Sequence, residues 1–245
     1  MNPENNMTEN HPHDPYKHTH RTDEITAAWT RILREHLANA PGLAVLDAGC
    51  GAGFLSILLA WEGWEVTALD HSASILEKAR EHAAYHDAAH KIRFLQQDTA
   101  HTDLPGDTFD VIVSRYASSQ FREPFVAYQE WQRLLKPGGI LLNFDANWFS
   151  PLWNEHNRRE FLSDEQKLRE LLGEYRDFYN DRTAMYHLSQ YFLAFRERPE
   201  WDLRVCSQVG FREASAEFLP GDQIWNSVMS QRFRSIPTFL IKAVK

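Results

Sequence analysis

Residues 44–55 read Ala44-Val45-Leu46-Asp47-Ala48-Gly49-Cys50-Gly51-Ala52-Gly53-Phe54-Leu55, a carboxylate and three alternating glycines set between an apolar run and the first turn of an apolar-faced helix. Glycine has no Cβ, so such a loop accepts unusual φ/ψ values and lets a ligand lie against bare backbone. Two further acids, Asp70 and Asp98, close the next two apolar runs. A carboxylate accepts through two oxygens, and at the end of a second strand, about 20 residues beyond the first glycines, it is placed to take two ribose hydroxyls. Each aspartate alone reads equally well as a helix cap or turn residue. All three in register beside the glycine loop point to a nucleoside ligand.

The spacing narrows the ligand. Gly49, Gly51 and Gly53 form G-x-G-x-G, whereas a dinucleotide fingerprint needs glycine or alanine at position 54, which is Phe54. Asp47 would repel a pyrophosphate at the helix N-terminus, and the absence of G-K-[ST] excludes a Walker loop. A cationic, phosphate-free nucleoside suits these residues. Cys50 is small enough to sit in the cradle and is not read as a nucleophile.

The elements that position these residues alternate regularly. Helices are expected from Asp23 to the Pro41-Gly42 stop, over 54–61, over 72–86 with Ser72 as cap, and over 124–135. Strands are expected at 43–47, 65–70, 92–96, 109–114 and 140–145. Lys136-Pro137-Gly138-Gly139 reads as a stop and turn before the fifth strand. Parallel strands joined by helical crossovers give a doubly wound α/β sheet, with ligands outside the carboxyl ends of the strands. Residues 146–199 break the rhythm and read as a helical cap insertion, charged and aromatic. Ser163-Asp164-Glu165-Gln166 looks like a capping box there, with a further helix over Thr183–Phe195. The end resumes with a helix near 201–209, a strand at 211–218, a linker, and a last strand at 238–244. Residues 1–22 read as a flexible arm or lid and 23–245 as one domain. His11, His13, His18 and His20 on that arm lack a firm scaffold, so no metal site is expected.

Val45 to Gly53, Asp70, Gln97-Asp98 and Leu135 to Gly139 together resemble a class I S-adenosylmethionine-dependent methyltransferase of the small-molecule, type 11 kind, over about residues 40–146. The resemblance implies a Rossmann-like, seven-stranded, mostly parallel sheet with an antiparallel last strand. It implies that Gly49, Gly51 and Gly53 pack on the methionine part of the cofactor and that Asp47 orients the ammonium or the loop. By the same likeness Asp70 takes the ribose hydroxyls, His71 and Ile75 flank the adenine or ribose, and Asp98 accepts from the adenine amino group. Cys50, Gln97, Thr99 and Ser114 complete the expected cofactor contacts. Arg115 departs from the family pattern at the end of strand four, where it reads equally as a partner for a carboxylate and as a solvated rim residue.

Methyl transfer from a sulfonium asks mainly for alignment and exclusion of water, with a base only where the acceptor must lose a proton. His187, Tyr186 and His20 are the candidates for that role. Tyr16, Tyr116, Trp148, Asn154, Tyr179, Arg182 and Tyr191 are the candidate acceptor contacts, set in an aromatic cap that reads either as helix packing or as an apolar pocket wall. The expected reaction is transfer to an O, N or C atom of a small molecule. The alternatives are a cofactor-binding module without transfer and, more remotely, a nicotinamide oxidoreductase.

Composition bounds the partners. A net charge of -8 disfavours a general nucleic-acid binder. Two distant cysteines, a polar start and the lack of a long apolar run fit a cytoplasmic chain, monomer or homodimer, with no membrane span.

Overall fold

Strands made of continuous apolar runs need cover on both faces, and helices supply it. The computed structural model describes residues 24–172, 189–225 and 227–245. In chain order these form α1 (Glu24–Leu37), β1 (Ala44–Ala48), α2 (Phe54–Trp61), β2 (Glu65–Asp70), α3 (Ala73–Tyr85), β3 (Ile92–Gln96), β4 (Phe109–Arg115), α4 (Pro124–Leu134) and β5 (Leu135–Ala146). There follow α5 (Ser150–Trp153), α6 (Glu155–Leu172), α7 (Glu200–Val209), β6 (Glu213–Leu219), α8 (Gly221–Ile224), α9 (Ser227–Arg232) and β7 (Thr238–Val244). The seven strands form one sheet in the order β3-β2-β1-β4-β5-β7-β6. β7 runs antiparallel between β5 and β6, as the resemblance implies.

Side chains alternate across the sheet. Val45, Val111 and Val113 join the core under α1, α2 and α3, while Leu46 and Ile112 join the core under α4 and α7. The parallel order reverses beside β1: β2 and β3 lie on one side and β4 on the other, which opens a crevice at the strand ends between β1 and β4.

Three local expectations change. Lys136 to Gly139 lies within β5: Phe109 pairs with Leu135 and Val111 with Ile140, so the extra residues bulge out of the ladder. The cause is Asp110, whose carboxylate accepts from Lys136 Nζ at 2.9 Å and from the Ala44 N–H at 3.0 Å. The supposed capping box lies mid-helix in α6. Its cap is Asn154, whose Oδ1 accepts from the Asn157 N–H at 3.1 Å, while Asp164 and Glu165 pair with Arg234 (2.7 Å) and Arg232 (2.9 Å). Of the helix expected over Thr183–Phe195, residues 183–188 lie outside the described residues, while 190–195 form turns and Phe195 is 60% exposed. The chain bends there to bring Arg198 back beside Asp145 at the end of β5. The linker before β7 carries the short helices α8 and α9.

Candidate active site

The start of the glycine loop is fastened to β2 by backbone. The Gly49 and Cys50 N–H groups both donate to the Leu69 carbonyl at the end of β2, at 2.8 and 2.9 Å. Gly49, Gly51 and Gly53 all take positive φ (74°, 54° and 89°), the left-handed region that glycine enters without strain. A Cβ at Gly49 would lie 2.7 Å from that of Ala117, so this glycine is required for packing. A Cβ at Gly51 would meet nothing within 4 Å and would project into open space.

Asp70 sits at the same edge. Its Oδ2 accepts from the Gly51 N–H at 3.1 Å and its Oδ1 from the Ser72 N–H at 3.0 Å. Each oxygen keeps a lone pair for a ligand. The side chain of His71 is exposed, with Nδ1 3.5 Å from Asp70 Oδ1. Ile75 is half-buried in the first turn of α3, its N–H directed to the Ser72 hydroxyl. Gln97 donates its N–H to the Asp70 carbonyl at 3.2 Å, tying β3's end to β2's. Asp98 is exposed, and its Oδ1 accepts from the Ala100 N–H at 2.8 Å. The glycine loop, Asp70 and the Gln97-Asp98 turn thus share one edge.

Asp47 lies beneath the loop, 2% exposed, and accepts from Ser56 Oγ at 2.6 Å. Burial raises its pKa to about 6, against the pull of Ser56 and Arg115. Burial likewise pushes the Cys50 thiol well above its ordinary value, which keeps it protonated and unreactive.

Other predicted side chains are engaged in contacts of their own. Thr99 is buried, its Oγ1 accepting from Trp131 Nε1 at 2.9 Å in the core. Ser114 is fully buried and donates to the Ala48 carbonyl at 2.8 Å, stitching β4 to β1. Asn154 caps α6. Tyr116 stacks on Trp225 with centroids 5.0 Å apart, and its hydroxyl lies 3.1 Å from Thr238 Oγ1. Burial holds that phenol far above its ordinary pKa, so it is no base. Its φ of 57° is a strained value for a non-glycine residue, at the turn where β4 leaves the sheet. Trp148 packs edge-on against Tyr116 and donates to Asp145 Oδ1 at 2.6 Å, and Tyr191 stacks on Phe149. Arg115 lies over the rings of Phe54, Trp29 and Tyr116. His187, Tyr186, His20, Tyr16, Tyr179 and Arg182 lie outside the described residues. Among the described residues no cluster of His, Cys, Asp and Glu could hold a metal ion, and no helix is long and apolar enough to cross a membrane.

Two features escaped the sequence. His82 on α3 reaches back to the glycine loop, with Nδ1 3.1 Å from the Ala52 carbonyl. Below the β4 and β5 ends lies a buried network around Arg198, which donates to Asp202, Asp145 and Ser118. Tyr128 donates to Asp202, and Asn143 donates to Tyr128 and Ser118. Burial works against the Arg198 charge, and Asp202 and Asp145 more than offset it. The i, i+4 spacing of Arg198 and Asp202 was a weak signal; Asp145, 53 positions from Arg198, gave none.

A methyltransferase domain model matches residues 39–189, from before β1 to beyond α6. The chain belongs to the methyltransferase domain family. A ubiquinone biosynthesis O-methyltransferase of Erwinia tasmaniensis is 32% identical over 139 residues, covering 56% of this chain and 55% of the relative. The malonyl-acyl-carrier-protein O-methyltransferase of Serratia marcescens is 32% identical over 123 residues, covering 49% and 46%. The chain therefore spans about half the length of the curated relatives it matches. Among solved structures, geranyl diphosphate C-methyltransferase of Streptomyces coelicolor superposes with a TM-score of 0.61 at 16% identity, over 89% of this chain and 76% of that one. The cyclase SpnF gives 0.61 at 16%, over 90% and 81%. At these identities the likeness is one of fold. S-adenosylmethionine is the cofactor of the methyltransferase family, and the open face of Gly51 beside the two-oxygen acceptor Asp70 fits its nucleoside and thioether parts.

Proposed function

We propose that the strand-end cleft binds S-adenosylmethionine and passes its methyl group, by in-line displacement, to an oxygen atom of a small-molecule acceptor. The observation that carries this reading is the Asp70 carboxylate, held by one N–H per oxygen against the open face of Gly51. S-adenosylmethionine supplies a methyl group already made electrophilic by its sulfonium. The residues of this chain hold, orient and dehydrate.

In this reading Asp70 takes the ribose hydroxyls, His71 and Ile75 flank the nucleoside, and Gln97 and Asp98 border the adenine. Gly49 to Gly53 accommodate the amino-acid half. Asp47 stays behind the loop and acts on it through Ser56 and through its charge. Thr99 and Ser114 contribute by fixing the frame, since their side chains are engaged elsewhere. Oxygen is favoured over nitrogen or carbon because relatives above 30% identity, including the two described, are named O-methyltransferases.

Residues 146–199 act as a cap, and Tyr116, Trp148 and Tyr191 belong to its aromatic wall on the acceptor side. A base, where one is used, is sought among His187, Tyr186 and His20. A cytoplasmic location, a monomeric or homodimeric state and the lack of a nucleic-acid partner belong to the same reading, supported by the acidic composition.

The test is transfer of label from methyl-labelled S-adenosylmethionine to a fractionated metabolite extract. Label in a small-molecule product, released by mild treatments that cleave methyl esters or retained as a methyl ether, is the expected result. A protein that binds S-adenosylhomocysteine and labels nothing would favour a binding module without transfer.

A further inference from the structure

Residues 97–108 carry the chain from β3 to β4, strands that β2 and β1 separate in the sheet, with no helix or strand of their own. Such a segment lies where its contacts hold it. Its first turn is closed locally: Asp98 Oδ1 accepts from the Ala100 N–H at 2.8 Å and the Asp98 carbonyl from the His101 N–H at 3.1 Å. Those bonds give the turn its shape; its place is set from outside.

The outside hold comes from α4. Trp131, fully buried, donates its Nε1–H to Thr99 Oγ1 at 2.9 Å. Glu130, the residue before it, accepts through Oε1 from both the N–H and the hydroxyl of Thr102. Glu123, directly ahead of α4, meets His101 Nε2 at 3.0 Å, and Arg133 Nη2 donates to the Leu104 carbonyl at 2.8 Å. The His101 and Arg133 contacts are exposed and screened by solvent, so the firm holds are Trp131 on Thr99 and Glu130 on Thr102. Thr99 follows Asp98 directly. The Trp131 indole is itself fixed by Tyr128 and Phe121, at ring-centre distances of 5.0 and 5.8 Å. An indole offers one donor, so its direction dictates where Thr99 sits.

We infer that Trp131 is a positioning residue for nucleobase recognition: through Thr99, with Glu130 on Thr102 as the second hold, it sets the Asp98 carboxylate where that group accepts from the exocyclic amino group of adenine. An ionised carboxylate only accepts, so it pairs with a 6-amino group and has nothing to offer a 6-carbonyl. Selection of the base is thereby governed from α4, acting through the turn. This inference rests on the reading of the cleft as an S-adenosylmethionine site.

Calorimetry on the full chain reads the selection without turnover, by comparing S-adenosylhomocysteine with S-inosylhomocysteine, in which a 6-carbonyl replaces the amino group. Wild type is expected to prefer S-adenosylhomocysteine by about tenfold or more. Thr99→Val keeps the shape of the side chain and removes the acceptor of the Trp131 bond, whereas Thr99→Ser keeps the hydroxyl. Thr99→Val is expected to lose most of the preference by weakening S-adenosylhomocysteine alone, and Thr99→Ser to retain it. Trp131→Phe, which removes the donor, loses the preference in the same way. Adding Thr99→Val to Trp131→Phe lowers it no further, as expected of two groups acting through one bond. Equal weakening of both nucleosides in Thr99→Val and Trp131→Phe would mark the bond as structural and overturn the proposal. So would a preference that survives both substitutions, or additive losses in the double variant. A wild type that binds both nucleosides alike would overturn it through Asp98, with the cofactor site intact. One that binds neither would refute the cofactor site itself, and the proposal with it.

Discussion

At the ends of β1, β2 and β3 the main chain does the positioning: the Gly49 and Cys50 amides hold Leu69, Asp70 is held by the Gly51 and Ser72 amides, and Gln97 donates to the Asp70 carbonyl. At the ends of β4 and β5 side chains do it instead. Arg198, Asp145, Asp202, Tyr128, Asn143 and Ser118 form a buried network, and Trp148, Tyr116 and Trp225 pack above the strand ends. A cofactor common to a whole family can be met by backbone groups, which any sequence with glycines in the right places presents. The relatives' names point to different acceptors, and side chains at these strand ends are free to vary with the acceptor. On this account a change in the first region alters affinity for the nucleoside with little loss of fold, whereas a change in the second alters stability first.

The largest effect that would test this division is at Arg198. Arg198→Met leaves Asp145 and Asp202 buried without their cation, and the expected loss is about 3–5 kcal/mol of unfolding free energy by urea titration. A loss below about 1 kcal/mol would mean that the network does not hold the end of β5 to the start of α7.

Asp47 comes next and is read through pH. Its folded pKa of about 6 lies above the ordinary 3.8, so between these values the folded protein binds more protons than the unfolded chain. Stability is therefore lost as pH rises from about 4 to 6, by up to about 3 kcal/mol on this group's account, with the full penalty present above pH 6. Asp47→Asn removes that part of the slope; an unchanged pH profile would show that the carboxyl ionises normally.

Asp70→Ala is expected to weaken S-adenosylhomocysteine by about 1.5–3 kcal/mol while the melting temperature stays close to wild type. Unfolding instead of a selective loss of affinity would erase the contrast between the regions. The smallest effect is at His82→Ala, which frees the Ala52 carbonyl and costs about 0.5–1.5 kcal/mol of the same affinity. Rescue by His82→Gln, whose amide can donate to that carbonyl, would show that the hydrogen bond and not the ring is responsible.

The contrast also explains what could be read before the fold was known. The placement of Gly49 to Gly53, Asp70 and Asp98 at one edge of the sheet was legible because it is set locally: each follows an apolar run of strand length. Lys136 to Gly139 carried every mark of a turn, yet they bulge within β5, because Asp110 on the neighbouring strand draws Lys136 back. Ser163 to Gln166 matched a capping box, but Arg232 and Arg234, nearly 70 residues on, take the two acids. Thr99 and Ser114 stand next to site residues in the chain, and strand alternation and the turn after β3 send their side chains into the frame. The partnership of Asp145 with Arg198 depends on how a 53-residue excursion closes, which no local pattern encodes.

The central claim is that the cleft over the glycine loop is the cofactor site. Calorimetry of S-adenosylhomocysteine and of NAD with wild type and with Gly51→Val tests it most directly, because the added side chain would enter the open space beside the loop. The account predicts that wild type binds S-adenosylhomocysteine and not NAD, and that a folded Gly51→Val binds neither. Unimpaired binding of S-adenosylhomocysteine by Gly51→Val, or binding of NAD alone by wild type, would contradict it.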